Sequence, residues 1–450
     1  MIPLRDMTGK SPLVECQLWA SALFHSFRHK FGRLIYRNRL GTTKLGRNLT
    51  QGESDLLVAY ATKVFNLSRQ TQAWRRHSVD SFESWVLQGQ SHSSITQDML
   101  KLAAKFNSAR AIPESAFAIE QILSAVGLFE AGFAFAELGQ ELILQQAREN
   151  PSEDNLIRAI QVAIVRGDRE SALVSREKLL EVRNKPNLMR RRWKNIDDLE
   201  NYLNLWQGKA CSYPDPPRNT SPLESAWRLF LVGKMSVVYG PGLPTGPPIK
   251  ISKDNPVIRF AGPGSFTWTN KADFAMGRTD IVYLIRETLE RIGSDERERI
   301  QILSPYRFVG VKRSTTPYLP NARRVETASQ LFLRGHPNMV PLACIDILRV
   351  PRTTVCVIGA NFFASEISYR QGSVRLNPDG TPQSQAGSAG GVFDRSTLMA
   401  SHNAIQNRAI IANLVQVGRI CGDSEFLEAV SLSNLKYAQR LDRIYGQHKI

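Results

Sequence analysis

One histidine stands out for its neighbours. His402 lies in Ser401-His402-Asn403, between a long unpatterned span and the apolar-periodic run AIQNRAIIANLVQVGRI. Ser401 is a good N-cap, which predicts His402 within the first turn of a helix. The positive end of a helix dipole disfavours imidazolium. A histidine there stays neutral, can take a proton from a hydroxyl, and favours an adjoining anion. A purely structural histidine is the competing reading. Gly240-Pro241-Gly242 directly follows an apolar run, where glycine lets backbone N–H groups close on a phosphate. A plain tight turn would use the same residues. Arg259 precedes Phe260 and the turn Ala261-Gly262-Pro263-Gly264, while Asn361, Phe362, Phe363 and then Tyr369 follow another apolar run. No GxGxxG, Walker A or Asp-x-Asp pattern occurs. The five cysteines (Cys16, Cys211, Cys344, Cys356, Cys421) contain no CxxC, so free thiols in a reducing compartment are expected, with no zinc site.

These positions need strands to carry them. From Met235 onward, short β-branched runs (MSVVY, PVIRF, TDIVYLI, ERIQILSP, TTVCVIGANFF) alternate with helical candidates at 328–334 and 340–348. Continuous apolar strands separated by helices predict a parallel sheet covered on both faces, a Rossmann-like α/β domain over 233–450. Residues 371–391 are rich in Gly, Ser, Gln and Pro, which reads as a lid loop over 371–400. Two helices are expected at 403–417 and 434–445, with Gly418 and Gly446 as C-caps. Upstream, residues 1–208 read as an all-α domain. Ser54 or Asp55 starts one helix, Ser94 or Thr96 another, and Pro113 opens a run that ends at Asn150. A faint 40-residue echo, Ala118-Ile119 to Gly127 against Ala159-Ile160 to Gly167, suggests tetratricopeptide-like hairpins or an irregular bundle. A Pro-rich linker and lead-in segment covers 209–232.

The chain has 450 residues, which suggests two or three domains, and its composition excludes a disordered or collagenous chain and a disulfide scaffold. No apolar run approaches a bilayer span and no secretory h-region opens the chain, so a cytoplasmic protein is expected. Sequons at Asn48, Asn66 and Asn219 therefore carry no weight. The net charge is +17, with 31 basic and 24 acidic residues before Gly233 and 27 and 17 after it. Such a surplus favours anionic partners. Two basic stretches, Arg28 to Arg47 and Lys185 to Lys194, could meet lipid headgroups of an anionic inner membrane face, acidic glycan or RNA, or be solvated faces. No zinc finger, RNP aromatics or other nucleic-acid module is visible, so nucleic acid is not an expected partner.

The order VVYGPGLP, VIRFAG, RTDIVYL, VIGANFF with Tyr369, then Ser401-His402-Asn403 resembles the sialyltransferase-like glycosyltransferases of bacterial capsule and lipooligosaccharide synthesis. The likeness spans Met235 to about Gly446, half the chain. It implies a single Rossmann-type domain that transfers a sugar from a nucleotide donor, CMP-sialic acid or a related CMP-sugar, to a glycan or glycolipid acceptor. It further implies inversion without a metal or other cofactor, and His402 as general base. The nucleotide sugar would meet Gly240, Pro241, Gly242, Arg259, Gly262, Asn361, Tyr369, Ser401 and Asn403. The chain departs from the family at Ala261-Gly262 and Ile285, where Asn is usual, and at Asn361-Phe362-Phe363, where Asp-Phe-Tyr is usual. The alternative is a catalytically degenerate Rossmann-like scaffold acting through the helical N-terminal domain.

Overall fold

A computed structural model describes residues 51–107, 111–184, 196–209, 222–240, 251–261, 278–285, 289, 297, 300, 303–312, 320–325, 328–364 and 402–445. The described residues form two compact units, one of 51–159 with 435–445 and one of 160–364 with 402–434.

The first unit is helical. Helices α1 (Gln51–Leu67), α2 (Gln72–Gln88), α3 (His92–Ala104), α4 (Pro113–Ala125) and α5 (Phe129–Glu149) turn their apolar stripes inward. Thr71 caps α2, accepting from the Trp74 N–H at 3.3 Å, and Ser91 caps α3 in the same way through Ser94. The α3 start thus falls upstream of Ser94 and Thr96, because Ser91 meets the first orphan N–H groups. Trp74 anchors the core. Its ring meets Phe65, Phe106 and Phe135 edge-on, and its indole N–H donates to the Leu102 carbonyl at 3.0 Å. Helices α4 and α5 form a tight hairpin because Gly132 and Gly139 face α4. A Cβ there would stand 2.8 Å from Ser124 Oγ and 2.7 Å from the Phe117 ring. The last helix of the chain, α13 (Asn434–Tyr445), completes this unit from residue 435. Its Asp442 accepts the α5 N-terminal N–H groups of Phe129 at 2.6 Å and Glu130 at 3.2 Å. Such a cap satisfies two donors that the helix cannot.

Helix α6 (Glu153–Arg166) crosses the division between the units. It ends at Gly167 in the left-handed region, as α4 is followed by Gly127, so the 40-residue echo extends to turn geometry. The second unit adds α7 (Arg169–Arg183), α8 (Asp197–Trp206) and α9 (Pro222–Leu231). It is built on a seven-stranded sheet, all of whose strands are parallel: β1 (Met235–Tyr239), β2 (Val257–Ala261), β3 (Ile281–Ile285), β4 (Phe308–Lys312), β5 (Ala322–Val325), β6 (Thr354–Ile358) and β7 (Ile420–Gly422). Their spatial order is β5-β4-β3-β2-β1-β6-β7. Helix α10 (Met339–Leu348) leads into β6 and α11 (Ala404–Gln416) into β7, with α12 (Ser424–Ser431) following β7.

The α/β class, the parallel sheet and the preceding helices agree with the sequence reading. Three strands do not. ERIQILSP contributes helical residues (Ile300, Leu303), and β4, β5 and β7 stand where no strand is expected. The 328–334 candidate is a single 3-10 turn, Ser329–Leu331.

The division also departs from a 208/209 boundary. Tyr202 of α8 donates its hydroxyl proton to the Ile410 carbonyl at 2.9 Å, and Asn413 donates to Ile164 of α6 at 2.8 Å. Helix α8 and the part of α6 from residue 160 therefore group with the sheet. Within the 209–232 segment, α9 packs on the sheet, its Trp227 ring 5.3 Å from Phe308 and 6.4 Å from Tyr283. Residues 210–221 lie outside the described residues.

Candidate functional site

Parallel strands place their carboxyl ends at one edge. From β1 the chain builds outward through β2 to β5, then returns to β6 on the other side of β1. In open α/β sheets the carboxyl ends of the strands at such a reversal are the usual ligand position. Gly240 lies there. Its N–H donates to the Ile358 carbonyl at 2.7 Å, and a Cβ would come within 2.4 Å of the Gly359 carbonyl oxygen. Close approach of two strand ends is thus why residue 240 is glycine.

Past β6, Gly359, Phe362 and Phe363 all take positive φ, at 67°, 50° and 68°. Phenylalanine rarely accepts that conformation, so side chains must hold the turn. Asn361 does so: its Oδ1 accepts from the Phe363 N–H at 3.1 Å and its Nδ2 donates to Glu425 at 3.0 Å. The resemblance places Asn361 among the residues that meet the nucleotide sugar; in the structure its side chain engages Phe363 and Glu425. Asp423, which caps α12, accepts from the N–H groups of Gly359 at 2.7 Å and Phe426 at 3.0 Å.

His402 stands at the same edge of the sheet. Helices α10 and α11 each run back toward a strand start, so their N-termini lie at the carboxyl edge. Asn403 is the α11 cap, with φ of 47° and its Oδ1 accepting from the Gln406 N–H at 3.1 Å. His402 therefore precedes the cap instead of lying in the first turn, because asparagine both tolerates the left-handed conformation and caps. The half-buried His402 has Nδ1 3.3 Å from the His336 carbonyl oxygen. A carbonyl only accepts, so Nδ1 carries a proton in this contact.

Asn407, one turn into α11, fixes this corner. It donates to the carbonyls of His402, Asn403 (3.1 Å) and His336 (3.3 Å) and accepts from the Asn338 N–H at 2.7 Å. Lys312, at the end of β4, donates to the Pro337 carbonyl at 2.5 Å. Sequence reasoning missed His336, Asn407 and Lys312. The Asn403/Asn407 spacing of one helical turn was the available signal.

Arg259 is not brought to His402. Its guanidinium lies 4.9 Å above the Tyr239 ring, on the sheet face that carries Val237, Cys356 and Ile358. The opposite face carries Tyr283, which donates to Asp346 of α10 at 2.6 Å. Strand alternation separates the two faces, so Arg259 and α10 are on opposite sides of the sheet. Tyr283 and Asp346 join Arg323 and Glu224 in a buried network in which burial, then the Asp346 charge, pushes the Tyr283 hydroxyl far up. Pro241, Gly242, Gly262, Tyr369, Ser401 and the 371–400 loop lie outside the described residues.

Among the described residues, no group of three or more His, Cys, Asp or Glu side chains could hold a metal ion, and no helix is long and apolar enough to cross a membrane. Comparison with known protein families, with curated proteins and with solved structures finds no match to this chain. The fold therefore defines a class alone: a parallel α/β sheet unit whose strand order reverses between β1 and β6.

Proposed function

We propose that the sheet unit is a glycosyltransferase of sialyltransferase-like type, moving a sugar from a nucleotide donor, CMP-sialic acid or a related CMP-sugar, to a glycan or glycolipid hydroxyl. The observation that carries this reading is the contact between His402 Nδ1 and the His336 carbonyl. It orients the imidazole, and the base role that the resemblance implies for His402 would then fall to Nε2. As the acceptor oxygen bonds to the anomeric carbon, Nε2 takes its proton, and the bond from that carbon to the nucleotide phosphate oxygen breaks. Backbone around Gly240 is the natural support for the phosphate. Pro241, Gly242, Gly262, Tyr369 and Ser401 keep the roles that the resemblance implies, while Arg259 and Asn361 support the carboxyl edge of the sheet. Inversion without a metal follows from the same resemblance, and the basic stretches would let the protein act at an anionic membrane surface.

His402→Ala should reduce transfer or donor hydrolysis by about 10²–10⁴-fold, the usual worth of a general base, with the unfolding midpoint unchanged. Unchanged turnover rejects the assignment. The scaffold reading draws on Asn361-Phe362-Phe363, which offers neither carboxylate nor phenol and whose amide is already engaged. Calorimetry with CMP, CDP, UDP and GDP separates the two, because a scaffold binds none of them.

A further inference from the structure

Cys356 and Cys421 face each other directly on β6 and β7. Ladder bonds hold that register on both sides, from the Val355 N–H to the Arg419 carbonyl at 3.1 Å and from the Asp423 N–H to the Val357 carbonyl at 3.1 Å. Neighbouring strands run about 4.8 Å apart, inside the span of roughly 4.4–6.8 Å that a disulfide requires between Cα atoms. Both residues are free thiols, and their sulfurs share a hydrogen bond. Their exposures differ sharply: Cys356 is 2% exposed, while Cys421 is exposed on a three-residue edge strand. The shared hydrogen bond, with burial added, raises the Cys356 thiol, and the same bond lowers Cys421 to about 7. Cys421 is therefore the thiolate of the pair near neutral pH, and it is the one that solvent reaches.

We propose that Cys421 is a peroxide-reactive thiol resolved by Cys356, the two closing a reversible disulfide between β6 and β7. The Cys421 thiolate attacks one oxygen of a hydroperoxide. An S–O bond forms, the O–O bond breaks, and hydroxide or alkoxide leaves and is protonated by water. The sulfur is oxidised by two electrons to a sulfenic acid and the peroxide is reduced. The Cys356 sulfur then attacks the sulfenyl sulfur: the S–S bond forms, the S–O bond breaks, and the departing hydroxide leaves as water with the Cys356 proton. A dithiol reductant reverses the product. Directly opposed Cβ atoms on parallel strands stand farther apart than the relaxed ~3.8 Å, so closure draws the short edge strand inward. Exposed or strained disulfides are the readily reduced ones. The effect reaches the carboxyl edge of the sheet, because Asp423, two residues past Cys421, holds the Gly359 N–H at the tip of β6. The inference does not depend on glycosyl transfer.

The test treats the full chain with hydrogen peroxide, alkylates it with iodoacetamide in denaturant, and maps the peptides by mass spectrometry. Cys356 and Cys421 should lose label together and appear as one cross-linked species lighter by two hydrogens, with both labels restored by dithiothreitol. Cys356→Ser, a near-isosteric change, should instead trap a dimedone adduct at Cys421. Cys421→Ser should leave Cys356 labelled normally after peroxide. The proposal is overturned if Cys421 keeps full label in peroxide, if it cross-links to Cys16 or Cys211 in place of Cys356, or if Cys356→Ser yields no adduct.

Discussion

Asp442 places a carboxyl group where its charge is costly. Burial pushes it up to about 7, against the pull of the N–H groups of Phe129 and Glu130. Between about pH 4 and 7 the folded unit then binds a proton that the unfolded chain does not. The stability Asp442 contributes is fully present below its unfolded value and is lost as pH rises through 7. His92, whose Nε2 is 4.0 Å from Asp442 and 3.4 Å from the Gly127 carbonyl, has the opposite sense. Burial lowers it, so its contribution fades as pH falls below the ordinary histidine range. Asp442→Asn should therefore flatten the loss of thermal stability between about pH 4 and 7, an effect on the order of a few kcal/mol. Parallel curves for the two proteins would contradict this.

At the scale of elements, the tips of β1 and β6 tolerate little change. Gly240→Ala would set a methyl against backbone that cannot move aside, and should cost about 1–3 kcal/mol in denaturant unfolding while weakening any nucleotide binding at the strand tips. Arg323→Ala should cost more, about 3–5 kcal/mol, because it leaves Asp346 buried without its bridging cation. An urea midpoint unchanged by either substitution would refute the corresponding packing argument. Legibility in sequence tracks the same physics. The strands β1, β2, β3 and β6 were visible because strands buried on both faces read as continuous apolar runs. By contrast, β5 reads Ala-Arg-Arg-Val, and its arginine Arg323 is buried only because Glu224 and Asp346 answer it. Pairing across such sequence distance leaves no local trace. Gly240 was legible as a tight-turn position because its glycine follows an apolar run. The carbonyl of His336 that orients the imidazole was not, since a backbone acceptor has no residue signature.

Over the whole molecule, charge and chain path set the expectations. With a net charge of +17, the protein should float with phosphatidylserine vesicles at low salt and release as salt screens the surface. Arg190→Glu, Arg191→Glu and Arg192→Glu combined should weaken that flotation, and salt-insensitive binding would argue against it. These arginines lie outside the described residues. The chain path gives a second test. Deleting residues 435–450 should expose the α5 amides of Phe129 and Glu130 to hydrogen exchange while β1 and β6 keep their protection.

The Asp442 cap on α5 joins residues 313 positions apart. During synthesis, then, the helical unit cannot be finished when helices α1 to α5 leave the ribosome. The nascent chain must hold α5 uncapped, with the apolar seat of Tyr445 beside Phe129 open to water, while the entire sheet is translated. A premature stop late in the message would therefore injure the part of the protein made first.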